Sequence, residues 1–204
     1  VAELVKVRIF RNQRSYSEAD LVEILEPSPH RVEPKCAIAG ICGGCQYQHM
    51  SIEAQREWKT RHVEEVLLQQ KINGYTTAED LKVLPTLGTQ EVYHYRSKLT
   101  PHYNAPREVG VDTYEMEAIG FQQSSNRNLV DVTECPIATE AINDKYKIVR
   151  AQLLEKAEQG LLNQKKKKRK GRVGALGATL LFRQADDDPI TREPIVVTDH
   201  NEYM

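Results

Sequence analysis

Short alternations of hydrophobic and polar residues recur along the chain, and this period of two predicts β-strands. Near the start, residues 3–10 and 21–26 alternate in this way, and the polar stretch between them predicts a turn. Later strands are predicted in the segments EVYHYRSKLTPHYN (residues 91–104, interrupted by Pro101), MEAIGFQ, NLVDV, VGALGATLLFRQ and PIVVT. We therefore expect strands to dominate the structure.

A spacing of three and four between apolar residues predicts two helices. The first begins after Ser51, whose hydroxyl suits a helix cap, and runs to about residue 70. Its expected inner face consists of Ile52, Trp58, Val63, Val66 and Leu67. The second helix follows Pro136, and Gly160 ends it. Its expected buried stripe consists of Ile142, Tyr146, Val149 and Leu153.

These elements predict an α+β fold with an antiparallel-sheet central domain and two main helices. The Pro-rich segment EPSPHRVEP has no periodicity and predicts a domain boundary near residue 30. Residues 1–30 are then the last strands of a small β-barrel, and residues 31–204 form the central domain. Because the chain starts without Met and stops without a helix end, we interpret it as a fragment whose central domain is incomplete at its C-terminus.

The charge is unevenly distributed. The chain has 28 basic and 29 acidic residues, and seven of the basic ones lie in the segment KKKKRKGR at 165–172. Without that segment, 21 basic residues would face 29 acidic ones, a net charge of −8 instead of −1. A concentrated basic run favours a polyanion such as nucleic acid. A solvated flexible loop and a nuclear-import signal are the alternatives, and the run alone leaves all three open.

The hydropathy pattern argues against a membrane protein. No stretch approaches the roughly 18 apolar residues of a membrane span, and the N-terminus VAELVKVRIF lacks the features of a signal peptide. We therefore expect a soluble, cytoplasmic protein with no membrane partner, present as a monomer.

Three of the four cysteines lie in the segment CAIAGICGGCQYQH, and the fourth follows 90 positions after the third. A reducing compartment disfavours disulfides. A thioredoxin-type pair belongs between a strand and a helix of a βαβ unit, which is not predicted here. Zinc normally takes a second Cys-x2-Cys or a His pair. Unrelated buried thiols are a further alternative.

An iron–sulfur cluster suits the pattern best, because a loop with three cysteines and a distant fourth can supply the four thiolates of a cubane. The predicted ligands are Cys36, Cys42, Cys45 and Cys135. Between them, Gly43 and Gly44 let the backbone wrap closely and offer N–H groups to sulfur. Zinc stays open as the second reading.

The cysteine segment, followed by Gln55 and Lys59, resembles the iron–sulfur members of the RNA uracil-C5 methyltransferase family, which make 5-methyluridine in ribosomal or transfer RNA. YRSKLTPHY at 95–103 resembles the family's Y-R-x-K strand. IGFQQSSNRNLVDVTECPIAT at 119–139 is similar to the segment that supplies the fourth cluster cysteine, and GATLLFR at 177–183 to the next strand. The opening strands and RVEPKC resemble the end of a TRAM β-barrel, an RNA-binding module.

The resemblance implies a C-terminal domain that binds S-adenosylmethionine and holds a catalytic cysteine and a general-base carboxylate. We expect that domain to be missing here, and with it the S-adenosylmethionine site and every catalytic residue. GRVGALG at 171–177 lacks the G-x-G-x-x-G spacing and precedes a strand, so we interpret it as a turn and a strand start. The alternative is a stand-alone four-cysteine metal module that binds nucleic acid or transfers electrons without methylation.

RNA contacts are predicted on two segments. Alternation along residues 93–102 places His94, Arg96, Lys98 and His102 on one cationic face. The basic run adds Lys165, Lys166, Lys167, Lys168, Arg169 and Lys170. Beside the cysteines, Gln46, Gln48 and His49 either contact RNA or bond to the loop backbone. Trp58 is expected in the core.

Overall fold

The structure, a computed structural model, describes residues 3–74, 82–162, 177–187 and 194–202. The helices are α1 (Ile52–Ile72) and α2 (Glu140–Glu158). The strands are β1 (Leu4–Asn12), β2 (Ser17–Glu26), β3 (Lys98–Leu99), β4 (His102–Tyr103), β5 (Arg107–Gly110), β6 (Thr113–Glu115), β7 (Ile119–Gln122), β8 (Leu129–Asp131), β9 (Ala178–Asp187) and β10 (Pro194–Glu202). The prediction of an α+β protein with antiparallel sheets and two helices is confirmed. Within the described ranges, no helix combines the length and hydropathy of a membrane span.

The chain divides into two compact units that alternate along the sequence. Unit 1 consists of residues 1–34 and 47–88, and unit 2 consists of residues 35–46 and 89–204. The cysteine loop therefore belongs to the unit that also contains Cys135. The predicted division at residue 30, and the TRAM-like nature of the first strands, stay predictions.

Unit 1 contains the predicted β1–β2 hairpin, which is antiparallel and has three register shifts. Apolar side chains on both of its faces are exposed, including Ile9, Phe10 and Val22. An ion pair next to the hairpin is largely buried: Arg31 donates two hydrogen bonds to the Glu3 carboxylate, at 2.6 and 2.7 Å.

Helix α1, also in unit 1, starts as predicted, because the Ser51 hydroxyl accepts a hydrogen bond from the Ala54 N–H at 3.3 Å. Its predicted inner face is correct only in part: Ile52, Trp58 and Leu67 are partly buried, whereas Val63 and Val66 are 49% and 60% exposed. The most deeply buried residue of the helix is Ala54, and Trp58, one turn on, is half-buried beneath the Arg61 guanidinium. At 3.6 residues per turn, Val63 lies about 180° and Val66 about 120° around the helix from Ala54.

Unit 2 is built on an antiparallel sheet with the strand order β10-β9-β4-β7-β8, and β3 also pairs with β9. Helix α2 covers it and has the predicted buried residues Ile142, Tyr146 and Leu153, with Val149 partly buried against the core. Tyr146 packs edge-on against Phe182, with ring centroids 5.5 Å apart. Gly160 follows the helix with φ +69, which agrees with its predicted role as a terminator.

The long strand predicted over residues 91–104 is wrong. Only the two-residue strands β3 and β4 form in it. His94 has φ 55, which no strand residue adopts, and the buried Pro101 separates the two pieces. A hairpin that was not predicted, β5–β6, follows this segment.

Candidate functional site

The cysteine loop is a series of tight turns. The N–H of Ala39 donates to the Cys36 carbonyl at 3.0 Å, and the N–H groups of Ile41 and Cys42 donate to Ile38 at 3.1 and 3.0 Å. Gly40 has φ +83, a left-handed conformation that favours glycine. The chain thus reverses its direction within the seven residues from Cys36 to Cys42.

The loop is attached to the end of β7. The N–H of Gly43 donates to the Gln122 carbonyl at 2.9 Å, and Cys42 forms a β-bridge with Gln123. Ser124 adds two bonds, from its N–H to the Ile41 carbonyl and from its hydroxyl to the Gly40 carbonyl, both at 2.8 Å. A Cβ at position 43 would lie only 3.1 Å from the Gln122 oxygen, so a glycine allows this close approach.

The fourth cysteine, Cys135, lies just after β8 and before α2. Its carbonyl accepts a bond from the Ala138 N–H at 3.0 Å. The side chain of Asn143 on α2 bonds to both its N–H and its carbonyl, at 3.0 and 3.1 Å. The following residue, Pro136, accepts a bond from the His94 N–H at 3.0 Å. The backbone at Cys135 is therefore held from two sides.

No disulfide joins any two of the four cysteines, and each of them is partly buried. Burial raises the pKa of Cys42 and of Cys135, and the neighbouring Cys45 and Cys36 raise both pKa values further. Against this, the Gly44 N–H donates to the Cys42 sulfur at 3.4 Å and partly lowers its pKa. Cys36 and Cys45 thus lie close enough to Cys42 and Cys135 to disfavour negative charge on those two thiols, a situation that a bound cation would reverse.

The donor set agrees in kind with a thiolate-bound metal group. Four cysteines are the ligands of iron–sulfur clusters and of many structural zinc sites. Among the described residues, no three or more His, Cys, Asp or Glu side chains are grouped so that they could hold a metal ion. A single zinc ion needs its thiolates converging at about 2.3 Å from one point, whereas a cubane is a larger body with each thiolate on a separate iron.

The four residues of the predicted cationic face do not share one environment. Arg96 and Lys98 are exposed. His94 and His102 are half-buried, and their Nδ1 atoms lie within hydrogen-bond distance of the Ala138 carbonyl (3.0 Å) and the Thr179 hydroxyl (2.7 Å). Burial also lowers the pKa of His102. The six residues Lys165 to Lys170 lie outside the described residues.

The segment around Arg96 runs beside the segment that follows Cys135. Arg96 forms a parallel bridge with Ala138, in which its N–H donates to the Ile137 carbonyl at 2.8 Å and its carbonyl accepts from the Thr139 N–H at 3.2 Å. The exposed Arg96 therefore belongs to a backbone segment that pairs with the residues just after the fourth cysteine. The cysteine spacing could not predict this neighbourhood.

Beside the loop, Gln46 is exposed and His49 is half-buried. Burial and the Arg31 charge lower the pKa of His49. A further glutamine, Gln55, donates from its Nε2 to the carbonyls of Tyr47 and Met50 at 3.0 and 2.9 Å. The two interpretations of Gln46, Gln48 and His49 stay predictions. Trp58 is half-buried, so its expected place in the core is met only in part.

Two residues whose side chains hydrogen-bond to the cysteine-containing segments were not predicted, Ser124 and Asn143. Ser124 lies in an exposed polar turn, where the sequence gives no sign of its bonds to the loop. Asn143 stands between the apolar residues Ile142 and Tyr146 on the inner side of α2. A polar residue at a position that the helical period buries is the signal that could have found it.

No profile of a known protein family matches the chain. Individual relatives do. The chain is 37% identical over 150 residues to a Schizosaccharomyces pombe protein named tRNA (uracil(54)-C(5))-methyltransferase; the match covers 71% of the chain and 27% of that protein. It is 31% identical over 195 residues to the 23S rRNA (uracil(1939)-C(5))-methyltransferase RlmD of Photorhabdus laumondii, with 94% and 40% covered. An uncharacterized RNA methyltransferase of Bacillus cereus is 33% identical over 168 residues, with 82% and 33% covered. The chain thus spans between 27% and 40% of the length of these curated relatives.

Proposed function

The chain is homologous over most of its length to RNA uracil-C5 methyltransferases, and from this premise we propose that it is the RNA-binding and iron–sulfur part of such an enzyme. One of these relatives is named for transfer RNA and the other for 23S ribosomal RNA, so the proposed substrate class is RNA with a target uridine. Because the chain spans 40% or less of those two relatives, methyl transfer is proposed for the whole protein.

The four cysteines are proposed to bind a [4Fe–4S] cluster. The observation that carries this proposal is the attachment of the three-cysteine loop to β7 within the unit that contains Cys135, where Cys36 and Cys45 raise the pKa of Cys42 and of Cys135. When bound, the cluster would join residue 36 to residue 135 and hold the two segments together. Zinc is the second candidate, and it is less favoured because zinc sites normally take a second Cys-x2-Cys or a His pair, which the cysteine spacing lacks.

The proposed RNA contacts begin with Arg96 and Lys98. Both side chains are exposed, and neither forms an ion pair with another described residue. Free cations of this kind are suited to phosphate contacts, which position RNA without reading its sequence. Lys165 to Lys170 are proposed to add salt-dependent affinity through their charge. His94 and His102 are less favoured as RNA contacts, since their Nδ1 atoms lie within hydrogen-bond distance of the Ala138 carbonyl and the Thr179 hydroxyl.

The chemistry proposed for the whole protein follows the family resemblance. A cysteine thiolate adds to C6 of uracil, C5 takes a methyl group from S-adenosylmethionine, a base removes the C5 proton, and the cysteine leaves. The target base must leave its stack to be reached. The part played by this chain's own residues is to hold and place the RNA. A stand-alone metal module without methylation is not favoured by the named relatives.

The test is anaerobic purification followed by iron, sulfide and zinc analysis. We expect a brown protein that absorbs near roughly 400 nm and holds about four irons per chain. A Cys135→Ser variant should lose the colour and most of the iron. A colourless protein that contains zinc, or no metal, would refute the cluster.

A further inference from the structure

Asn143 is the one fully buried polar residue in the part of the chain whose side chains the structure describes, with 3% of its surface exposed. It lies on the inner side of α2, next to Ile142 and one turn before Tyr146, which are both completely buried. Buried polar side chains are retained where they make specific hydrogen bonds, so the partners of Asn143 are informative.

Those partners all belong to the segment that contains the fourth cysteine. Oδ1 of Asn143 accepts a bond from the Cys135 N–H at 3.0 Å, and Nδ2 donates to the carbonyls of Cys135 at 3.1 Å and Ala138 at 3.3 Å. The side-chain amide therefore pairs with Cys135 as a neighbouring strand would, one donor against one acceptor. Neither a carboxylate nor an apolar side chain of the same shape can make both bonds.

We propose that Asn143 is the positioning residue of the cysteine site, fixing the backbone at Cys135 so that its thiol is presented to the three cysteines of the loop. This inference rests on the proposed metal site, and it goes beyond the ligand set by naming a residue that never touches the metal. The geometry supports it because the Asn143 side-chain amide forms hydrogen bonds on both sides of the Cys135 Cα, one with the N–H and one with the carbonyl. These two bonds restrict rotation of the peptide groups that flank the Cα, and the Cα carries the thiol side chain.

Helix α2 supplies a matched control. The Tyr146 hydroxyl donates to the carbonyls of Ile119 at 3.0 Å and Val132 at 2.8 Å, so Tyr146→Phe also removes buried hydrogen bonds from the same helix. It leaves the bonds to Cys135 unchanged. A loss of metal that is caused only by a less stable α2 would appear in both variants, whereas a loss caused by misplacement of Cys135 would appear only in the Asn143 variant.

The experiment compares the full chain, Asn143→Leu and Tyr146→Phe after anaerobic purification. Iron per folded chain, the cluster absorption and the rate of iron loss to a chelator are measured, with circular dichroism to establish folding. We expect Asn143→Leu to lose iron about 10- to 100-fold faster than wild type, the range found for residues that orient metal ligands. Tyr146→Phe should lose it at the wild-type rate. If Asn143→Leu does not fold, Asn143→Ala replaces it.

Each outcome decides the question. Wild-type iron retention in the folded Asn143 variant overturns the inference and leaves the cluster intact. Equal loss in both variants also overturns it, because the role would then be structural. A wild-type protein without iron refutes the proposed cluster itself, and the inference with it, and is recognised before either variant is compared.

Discussion

The hydroxyl of Ser124 donates a 2.8 Å hydrogen bond to the carbonyl oxygen of Gly40, which lies 84 positions earlier in the chain. Gly40 is in the left-handed turn of the cysteine loop, and Ser124 begins the turn that follows β7. This contact, with the backbone bond from Ser124 to Ile41, attaches the loop to the sheet. The position of three cysteines therefore depends on a serine that is not among the proposed ligands.

Ser124→Ala should loosen the loop without unfolding unit 2. One partly exposed hydrogen bond is lost, which costs about 1 kcal/mol or less in the free energy of unfolding. Amide hydrogen exchange at Ile41 and Cys42 should become faster, while that of the core strands stays unchanged. Ser125→Ala is the control, because within the part of the chain that the structure describes the Ser125 hydroxyl accepts a bond from the adjacent Asn126 and makes none to the loop. If amide hydrogen exchange at Ile41 and Cys42 is unchanged in Ser124→Ala, the backbone hydrogen bonds are sufficient to hold the loop.

Gly120→Ala should destabilise unit 2. A Cβ at this position would overlap the Val130 carbonyl oxygen and press on the Val132 side chain, so β7 and β8 would have to separate. Overpacking of this kind costs about 1–3 kcal/mol in the free energy of unfolding. Urea denaturation measures it.

Gly110→Ala is the control for Gly120→Ala, since its Cβ would meet Thr113 at an ordinary 3.6 Å. We expect a change in the free energy of unfolding of about 0.5 kcal/mol or less for this exposed position. Equal effects in the two variants would contradict the steric argument.

Acid should weaken unit 1 through the Glu3–Arg31 ion pair. Hydrogen bonds from the Arg31 guanidinium and the Ser28 N–H hold the pKa of Glu3 at about 2, below its ordinary value of 4.5. Because the folded-state pKa is lowered, the stabilisation is complete above pH 4.5 and is lost as the pH falls towards 2. Urea midpoints of wild type and Glu3→Gln between pH 7 and pH 2 measure it. The difference in urea midpoint between wild type and Glu3→Gln should shrink as the pH falls from 4.5 towards 2. A difference that stays constant would contradict the stabilising role of the Glu3–Arg31 ion pair.

Arg96→Ala combined with Lys98→Ala should weaken RNA binding and its dependence on salt. Removal of two phosphate contacts to single-stranded RNA should reduce the slope of log affinity against log salt by about 1.4. Filter binding or fluorescence anisotropy at several salt concentrations measures it. The charge-matched control is Lys145→Ala with Lys156→Ala, two exposed lysines on α2. Equal losses in the two double variants would indicate a general charge effect and not a contact surface.

The sequence predicts what depends on neighbours along the chain. Helix α2 was correctly expected because Ile142, Tyr146 and Leu153 recur at the helical period, and Gly160 ends it. Strand β9 was expected from GATLLFR, a run with buried residues at alternate positions such as Leu180 and Phe182. Local pattern and burial agree in these elements.

The failures depend on tertiary contacts, which hydrophobic periodicity does not record. His94 leaves the strand conformation where its N–H and ring bond to Pro136 and Ala138, more than 40 positions on. Val63 and Val66 have the spacing of a buried stripe, but the packing of Ala54 selects the other side of α1. Asn143 lies at a position that the helical period buries, which marks it as unusual, but only the structure identifies its partner, Cys135. That the four thiols bind one metal group stays a prediction.

The alternation of the two units along the chain also sets an order of events during synthesis. Residues 35–46 belong with residues 89–204, so the three-cysteine loop leaves the ribosome long before the part of the chain that receives it. Cys36 and Cys135 are about 100 residues apart. At a synthesis rate of roughly 5–20 residues per second, Cys135 is therefore added on the order of 5–20 s after Cys36. If the four thiols bind one cluster, as we propose, the three thiols of the loop would be exposed to oxidation or to another metal ion during that interval.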